Sequence, residues 1–398
     1  MLHSSLKSSF LRHVAQTSPE PDGFEVRQGE GIYLFDQAGH PYIDCISGIA
    51  VSSMGHGHPR IIAAIKKQLD LHLHTMVYGE HVQVPQVALA ERLAQLLPEP
   101  LDCTYFTNSG AEAVEGALKL SKKITSRYEI IACRNAYHGS TAGAESLRSD
   151  LDYIAASRPL VPGVKHIRFN SFEDISMITM DTAAVIIEPI QGEAGAVVPE
   201  PGYLQAIRKQ CDETCTLLIF DEIQTGMGRT GTMWAFQHEG VVPDILLLAK
   251  AFGGGMPLGA FVSSRKMMSV LSHDPILGHL TTFGGHPLSC AAGLEAINIM
   301  TEEKLPERAA GFEKNIRTHL EHHPALREIR GRGLMLALDL KNPDHLFPAV
   351  KACREQGLLV DWFLFNNCSL RFAPPLVISE TELNMVCEKL IRALNTLS

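Results

Sequence analysis

The sequence predicts an α/β protein with a mostly parallel, doubly wound sheet and a smaller α+β domain. Three observations carry that expectation. Runs such as "EIIAC", "AAVIIEP", "TLLIFDE" and "DILLLAKAF" are apolar throughout rather than alternating, as strands covered on both faces are. Helical patterns, including "GYLQAIRKQCDE", lie between several of them, and strands alternating with helices imply parallel crossovers. The chain has 398 residues, 45% of them hydrophobic and 20% charged. That is enough for one large domain and a smaller one without disulfides or metal.

Taken in order, "MLHSSLKSSFLRHVAQ" has several serines and no acid before Glu20. Those are transit-peptide features, but its basic residues are few, and it reads as a short amphipathic helix. "EGIYLFDQAGHPYIDCISG" reads as two short strands around a turn at Ala38–Gly39–His40. "HPRIIAAIKKQLDLHLH" opens a helix with proline near its start. "VPQVALAERLAQLLP" is a second helix, by its apolar spacing. "CTYFTNSGAEAVEGALKLSKKI" passes from a strand through Asn-Ser-Gly into a long helix, and the apolar strands follow. From about Gly293 the helix "GLEAINIMTEE" leads into "REIRGRGLMLALDL", "GLLVDWF" and "SLRFAPPL", the pattern of a compact α+β unit. The expected division is residues 1–47 packing with the small domain, 48–292 as the large domain and 293–398 as the C-terminal small domain.

Charge and composition narrow the function. A net charge of −9 argues against nucleic acid or an anionic membrane as the main partner. No apolar run approaches the roughly 18 residues of a membrane span. The nine cysteines form no framework: Cys211 and Cys215 lie a helical turn apart, but no second pair completes a zinc pattern. Free thiols suit a reducing compartment, so a cytoplasmic protein is expected. His56 and His58, and His72 and His74, have H-x-H spacing. No third ligand accompanies them, so no metal site is expected.

"LLIFDEIQTGMGRTG" carries the spacing of a dinucleotide fingerprint at Gly226, Gly228 and Gly231. Such a fingerprint needs a strand, a tight glycine turn and then a helix. Here "DEIQ" separates the strand from the glycines, and "TMWAFQHEGVVPD" is a poor helix opening. The informative residues are the acids at the strand end, Asp221 and Glu222.

Other strand ends carry chemistry too. Lys250 closes "DILLLAK". A lysine there either snorkels to water or is buried with a shifted pKa, as a Schiff-base lysine is. "NSGAEA" places Ser109, Gly110 and Ala111 at a helix start. Free backbone N–H groups bind phosphate there, although Ser109 also suits a simple N-cap. Tyr137 and His138 in "YHG" offer an aromatic face after a strand. "EPIQGE" ends another strand with Glu188 and Glu193. A phosphate cradle, an aromatic face, a carboxylate and a lysine at strand ends match the needs of pyridoxal 5′-phosphate (PLP).

In this order the motifs resemble the class III (ω-)aminotransferases of PLP fold type I, close to the acetylornithine, ornithine and 4-aminobutyrate aminotransferases. The resemblance runs from "GIYLFDQAGHPYIDCISGIA" to "LRFAPPLVI". It implies that Lys250 carries the cofactor as a Schiff base and shuttles the substrate proton. Asp221 would pair with the pyridine nitrogen, and Gln224 would lie near the phenolic oxygen. Gly110 and Ala111 would donate to the phosphate, and Tyr137 would stack on the ring with His138 beside it. In "HLTTFGGHPLSCAA", Thr282 would reach the phosphate of a neighbouring subunit's cofactor and Thr281 would lie near substrate, implying a homodimer with shared sites. Arg371 would hold a substrate carboxylate, and Glu193 would pair with Arg371 when an ω-amino group occupies the site. Aminomutases, racemases and decarboxylases on the same fold share a Lys250–Asp221 pair and remain alternatives.

The chain also departs from its relatives. Acetylornithine and ornithine enzymes commonly read F-H-G-R-T where this chain reads "YHGST", so Ser140 stands where their arginine binds a distal carboxylate. Arg148 is a candidate substitute. Ile49, in "ISGIAV", occupies the position of the ornithine enzymes' specificity tyrosine and offers no hydrogen bond to an α-amino group. An ω-amino-acid or diamine-type donor is therefore expected, with 2-oxoglutarate or pyruvate as acceptor in a ping-pong reaction.

Overall fold

The computed structural model describes residues 6–397. The N-terminal helix covers Leu6–His13; residues 1–5 of the expected helical stretch lie outside the described residues. The first strands are β1 (Gln28–Glu30), β2 (Tyr33–Phe35) and β3 (Pro41–Asp44). The next are β4 (Cys103–Thr107), β5 (Glu129–Cys133), β6 (Val164–Ile167), β7 (Thr182–Ile187), β8 (Leu217–Asp221), β9 (Ile245–Leu248) and β10 (Gly259–Ser263). The last are β11 (Leu326–Arg332), β12 (Met335–Leu340), β13 (Leu358–Leu359), β14 (Asp361–Phe363) and β15 (Asn366–Phe372).

A seven-stranded sheet in the order β4-β10-β9-β8-β7-β5-β6 forms the centre. Strands β6, β5, β7, β8 and β9 run parallel, and β10 is antiparallel to both its neighbours. Every residue of β5, β7, β8 and β9 is buried, as their unbroken apolar runs require. Alternate side chains of each strand enter two separate cores. Val185, Ile187, Leu218 and Phe220 pack into one, and Ala184, Ile186, Leu217 and Ile219 into the other. Both faces are thus covered, which makes this the mostly parallel, doubly wound α/β sheet expected. Two of its strands, β6 and β10, carry little sequence signal. β6 ("VKHI") is a half-buried edge strand, and β10 ("GAFVS") opens with glycine.

Two smaller sheets have the orders β1-β2-β3-β13 and β11-β12-β15-β14. Parallel pairing of β3 with β13 ties the N-terminal strands to the C-terminal part of the chain. The helix expected from Gly293 begins earlier and runs over Pro287–Glu302. Pro287 supplies its rigid first turn, and the division drawn at 292/293 falls inside it.

Candidate active site

The carboxyl ends of β5, β7, β8 and β9 meet where chain order steps outward to β6 and inward to β7. That is the switch point at which doubly wound sheets bind ligands. β8 delivers Asp221 there, 3% exposed. Its Oδ2 lies 2.7 Å from His138 Nδ1, and its Oδ1 accepts the Ile223 N–H at 3.0 Å. Burial alone would lower the His138 pKa. The hydrogen bond and charge of Asp221 outweigh it, and the pKa is raised. The other ring nitrogen of His138 is buried without a partner.

Lys250 follows β9 and has φ 50, a left-handed conformation that is costly for a side chain of this size. Burial lowers its pKa. The Glu193 charge opposes the shift and Arg371 adds to it, leaving the amine less basic than an ordinary lysine. The helix Gly110–Thr125 begins on the facing wall. Ser109 caps it by accepting the Glu112 N–H at 3.2 Å, so that hydroxyl already has a structural task. Gly110 and Ala111 begin the helix, and their N–H groups have no intrahelical acceptor. Gly139 lets the Tyr137–His138 loop pass over this turn: its φ is 134, and a Cβ there would stand 2.7 Å from Ala111 Cβ.

A cavity of ≈ 720 Å³ joins Ser109, Gly110, Ala111, Tyr137, His138, Asp221, Gln224 and Lys250. Its lining also includes Asn108, Glu188 and Val51. Of these, only Glu188 stood out in the sequence, as a strand-end acid. Its Oε1 accepts the Gly192 N–H at 3.2 Å, its Oε2 has no partner, and burial pushes its pKa up to about 7. Asn108 donates to Glu112 and, at 2.8 Å, to Thr281 Oγ1. No local signal marks a contact between residues so far apart in the chain.

Arg371 and Glu193 adjoin this cavity. Two 2.9 Å bonds join the guanidinium to both Glu193 oxygens. Arg371 also donates to Asp361 Oδ1 and to the Trp362 carbonyl, each at 2.9 Å. Burial would raise the Glu193 pKa, but Arg371 outweighs it and holds the carboxyl below the ordinary range. Gln224 links the pair to the cavity through a 3.4 Å bond to Glu193 Oε1. Asp361, which sequence reading left as part of a strand, has its pKa raised to about 6, because burial outweighs the Arg371 charge.

Three residues singled out in the sequence stand apart. Thr281 meets Asn108 but does not line the cavity. Thr282 is exposed, and its carbonyl lies 3.0 Å from His74 Nε2. Ile49 is 37% exposed on a left-handed turn, while its neighbour Val51 lines the cavity. His56, of the H-x-H pair, lies 2.9 Å from the buried Asp44.

These residues fit PLP. Free N–H groups at a helix start can take a phosphate, Tyr137 presents a ring, Asp221 supplies a buried anion and Lys250 a buried amine of lowered pKa. The cavity is of the size that small-molecule sites typically have, roughly 300–1,000 Å³.

Comparison with known proteins gives the same picture. The family model "Aminotransferase class-III" matches residues 15–394. The chain is 40% identical over 375 residues to the acetylornithine aminotransferase of Methanocaldococcus jannaschii, covering 91% of each chain. It superimposes on the ornithine aminotransferase of Toxoplasma gondii ME49 with a TM-score of 0.90 and 33% identity, covering 98% of this chain and 94% of that one. The omega transaminase of Pseudomonas jessenii in complex with PMP matches with a TM-score of 0.91 and 27% identity, over 99% and 98% of the two chains. The chain belongs to the class III aminotransferases, which are PLP-dependent enzymes.

Proposed function

We propose that this aminotransferase moves an amino group from an ω-amino acid or diamine-type donor to 2-oxoglutarate or pyruvate in two half-reactions. The observation that carries the reading is one cavity holding an amine of lowered pKa, Lys250, and a buried carboxylate, Asp221. PLP, when bound, supplies the carbonyl that takes up amino groups and the ring that spreads the charge left on the substrate carbon.

The chain's own residues do the rest. Lys250 holds the cofactor through its Nζ. Its lowered pKa leaves a neutral amine to carry the proton to and from the substrate carbon. Asp221 would keep a proton on the ring nitrogen, with His138 holding the carboxylate in place. Gly110 and Ala111 would anchor the cofactor's phosphate, Tyr137 would offer a ring to stack on the cofactor, and Gln224 would be available to its phenolic oxygen. Glu193 occupies Arg371 while an ω-amine is bound and releases it to a substrate carboxylate. The turn at Ile49 puts the apolar Val51 on the cavity wall, where it gives an α-amino group no hydrogen-bond partner, which favours donors reacting at the other end.

Thr281 and Thr282 belong to a segment that serves a second copy of the chain. Exposed apolar side chains around it support that reading: Leu71, Val82, Val84, Leu280 and Phe283. The His74 and Phe283 rings lie 4.8 Å apart, which brings residues 71–74 beside residues 280–283, and exposed apolar side chains are what an interface covers.

The test is an absorbance-monitored half-reaction. Each candidate amine is mixed with the PLP form, with Lys250→Ala as control. Conversion to the pyridoxamine form by ω-amines supports the donor assignment; silence with every ω-amine, alongside a response to α-amino acids, overturns it.

A further inference from the structure

A buried guanidinium with no acceptor stands behind one wall of the cavity. Arg148 is 6% exposed, and its Nε and Nη2 are buried without hydrogen-bond partners. Three rings surround it instead. Its Cζ lies 5.6 Å from the Tyr137 ring centre, 4.3 Å from Tyr153 and 5.6 Å from Phe365. Ring faces attract the cation but satisfy its N–H donors poorly. An arginine held this way is built to receive an anion, because a charge buried without a partner is costly.

Two further observations point to the cavity as the source of that anion. Tyr137 and Thr141 line it, and the Thr141 hydroxyl is likewise buried without a partner. Arg371 lies on the same structural feature: its Cζ is 4.6 Å from the Phe363 ring. Phe363 ends β14, and Phe365 lies in the two-residue turn that leads into β15. Both guanidiniums thus rest on rings two residues apart in one hairpin.

We propose that Arg148 is a second carboxylate site. It receives one end of a dicarboxylic keto acid such as 2-oxoglutarate while Arg371 takes the other, doing the work that Ser140 cannot do. The proposal rests on the aminotransferase reading above and resolves its acceptor in favour of the dicarboxylate over pyruvate.

The test compares wild-type holoenzyme with Arg148→Met and Arg148→Lys. KM is measured for 2-oxoglutarate and for pyruvate at saturating donor. Calorimetry measures binding of glutarate, a dicarboxylate that cannot react, against butyrate. Loss of a charged, two-pronged hydrogen bond should raise the 2-oxoglutarate KM about 10- to 100-fold in Arg148→Met. The pyruvate KM should stay within about twofold, and the advantage of glutarate over butyrate should vanish. Arg148→Lys should keep part of that advantage, since lysine retains the charge but not the fork, and it carries the comparison if the Met variant fails to fold. Equal changes for both keto acids, or unchanged glutarate binding, overturn the proposal. Should wild type turn over neither keto acid yet bind glutarate in an Arg148-dependent way, the acceptor reading falls and the carboxylate site stands.

Discussion

Asp221→Asn separates the charge at the cavity floor from its shape. The amide keeps the volume and can still accept the Ile223 N–H, but it carries no charge. In the structure, Asp221 Oδ2 and His138 Nδ1 are 2.7 Å apart, with side chains 3% and 0% exposed. A unit charge pair at that distance is worth about 6 kcal/mol at an effective dielectric of about 20. Desolvation offsets much of it, and net hydrogen bonds to charged groups are worth about 1.5–3 kcal/mol. Burial this complete favours the upper figure. A protonated ring nitrogen of bound PLP would meet the same carboxylate, so about 3 kcal/mol lost at the reacting step corresponds to at least about 100-fold in turnover. His138 reports the same loss independently. Without Asp221 burial is opposed only by the Glu188 charge, and the His138 pKa should fall below its wild-type value, as read by NMR titration. Cofactor retention after dialysis should be unchanged, because Lys250 and the start of the Gly110–Thr125 helix are intact. Turnover within a few-fold of wild type would refute the assignment. Loss of cofactor with full activity on reconstitution would make Asp221 an anchor rather than an activating group.

Three further outcomes follow from the same geometry. Glu193→Gln removes one acid from Arg371 but leaves Asp361 and the Trp362 carbonyl; KM for carboxylate acceptors should fall about tenfold while KM for ω-amine donors rises, and parallel changes in both would show that Glu193 does not switch. Glu188 is raised from 4.5 to about 7 by burial, so the folded state holds its proton more tightly than the unfolded one; that stabilisation is complete below about pH 4.5 and is lost as pH rises through 7, by about 3 kcal/mol. In Glu188→Gln the drop in urea-unfolding stability between pH 5 and pH 8 should shrink, and an unchanged drop would show that Glu188 titrates normally. Gly228 has φ +80, and a Cβ there would stand 2.6 Å from Met300 Sδ; Gly228→Ala should cost about 1–3 kcal/mol of stability with cofactor affinity unchanged, and a specific loss of cofactor affinity would place that loop in the site.

The central sheet was readable because burial on both faces leaves an unbroken apolar run, and the chemistry was readable where such a run stops on a charged residue. Asp221, Glu188 and Lys250 are all of that kind. β6 and β10 were not readable, since a half-buried four-residue edge strand and a strand opening with glycine have no such contrast. Nor were the pairings. Asn108 meets Thr281, and Arg371 meets both Glu193 and Asp361, through folding that brings distant segments together. Ile49 shows a third limit. Ser47, Gly48, Ile49 and Ala50 all have positive φ, a turn fastened by Asp44, whose Oδ1 accepts the N–H groups of Ile46 and Ser47. Only Gly48 hints at such a backbone. The turn directs Val51 into the cavity and leaves Ile49 outward, a distinction that neighbouring apolar letters cannot encode.

The glycines of "TGMGRTG" are the counterpart of this problem, a pattern that is plain in the sequence and belongs to something else. Gly228 and Gly231 do adopt φ values of +80 and +97, as a nucleotide-binding turn would. Around them the chain packs on Met300, Pro306 and Ala310, which a Cβ at either position would crowd. The next turn makes the same contact: Leu334 donates to the Arg229 carbonyl at 2.9 Å, and the Arg229 side chain donates to the Leu334 and Pro374 carbonyls. Glycine is needed here because the chain leaving β8 must lie flat against the C-terminal helices and strands. Asp221, at the other end of that connection, is thereby held against a firmly packed support. The spacing that suggests a phosphate loop thus serves to fix the position of the residue that carries the chemistry.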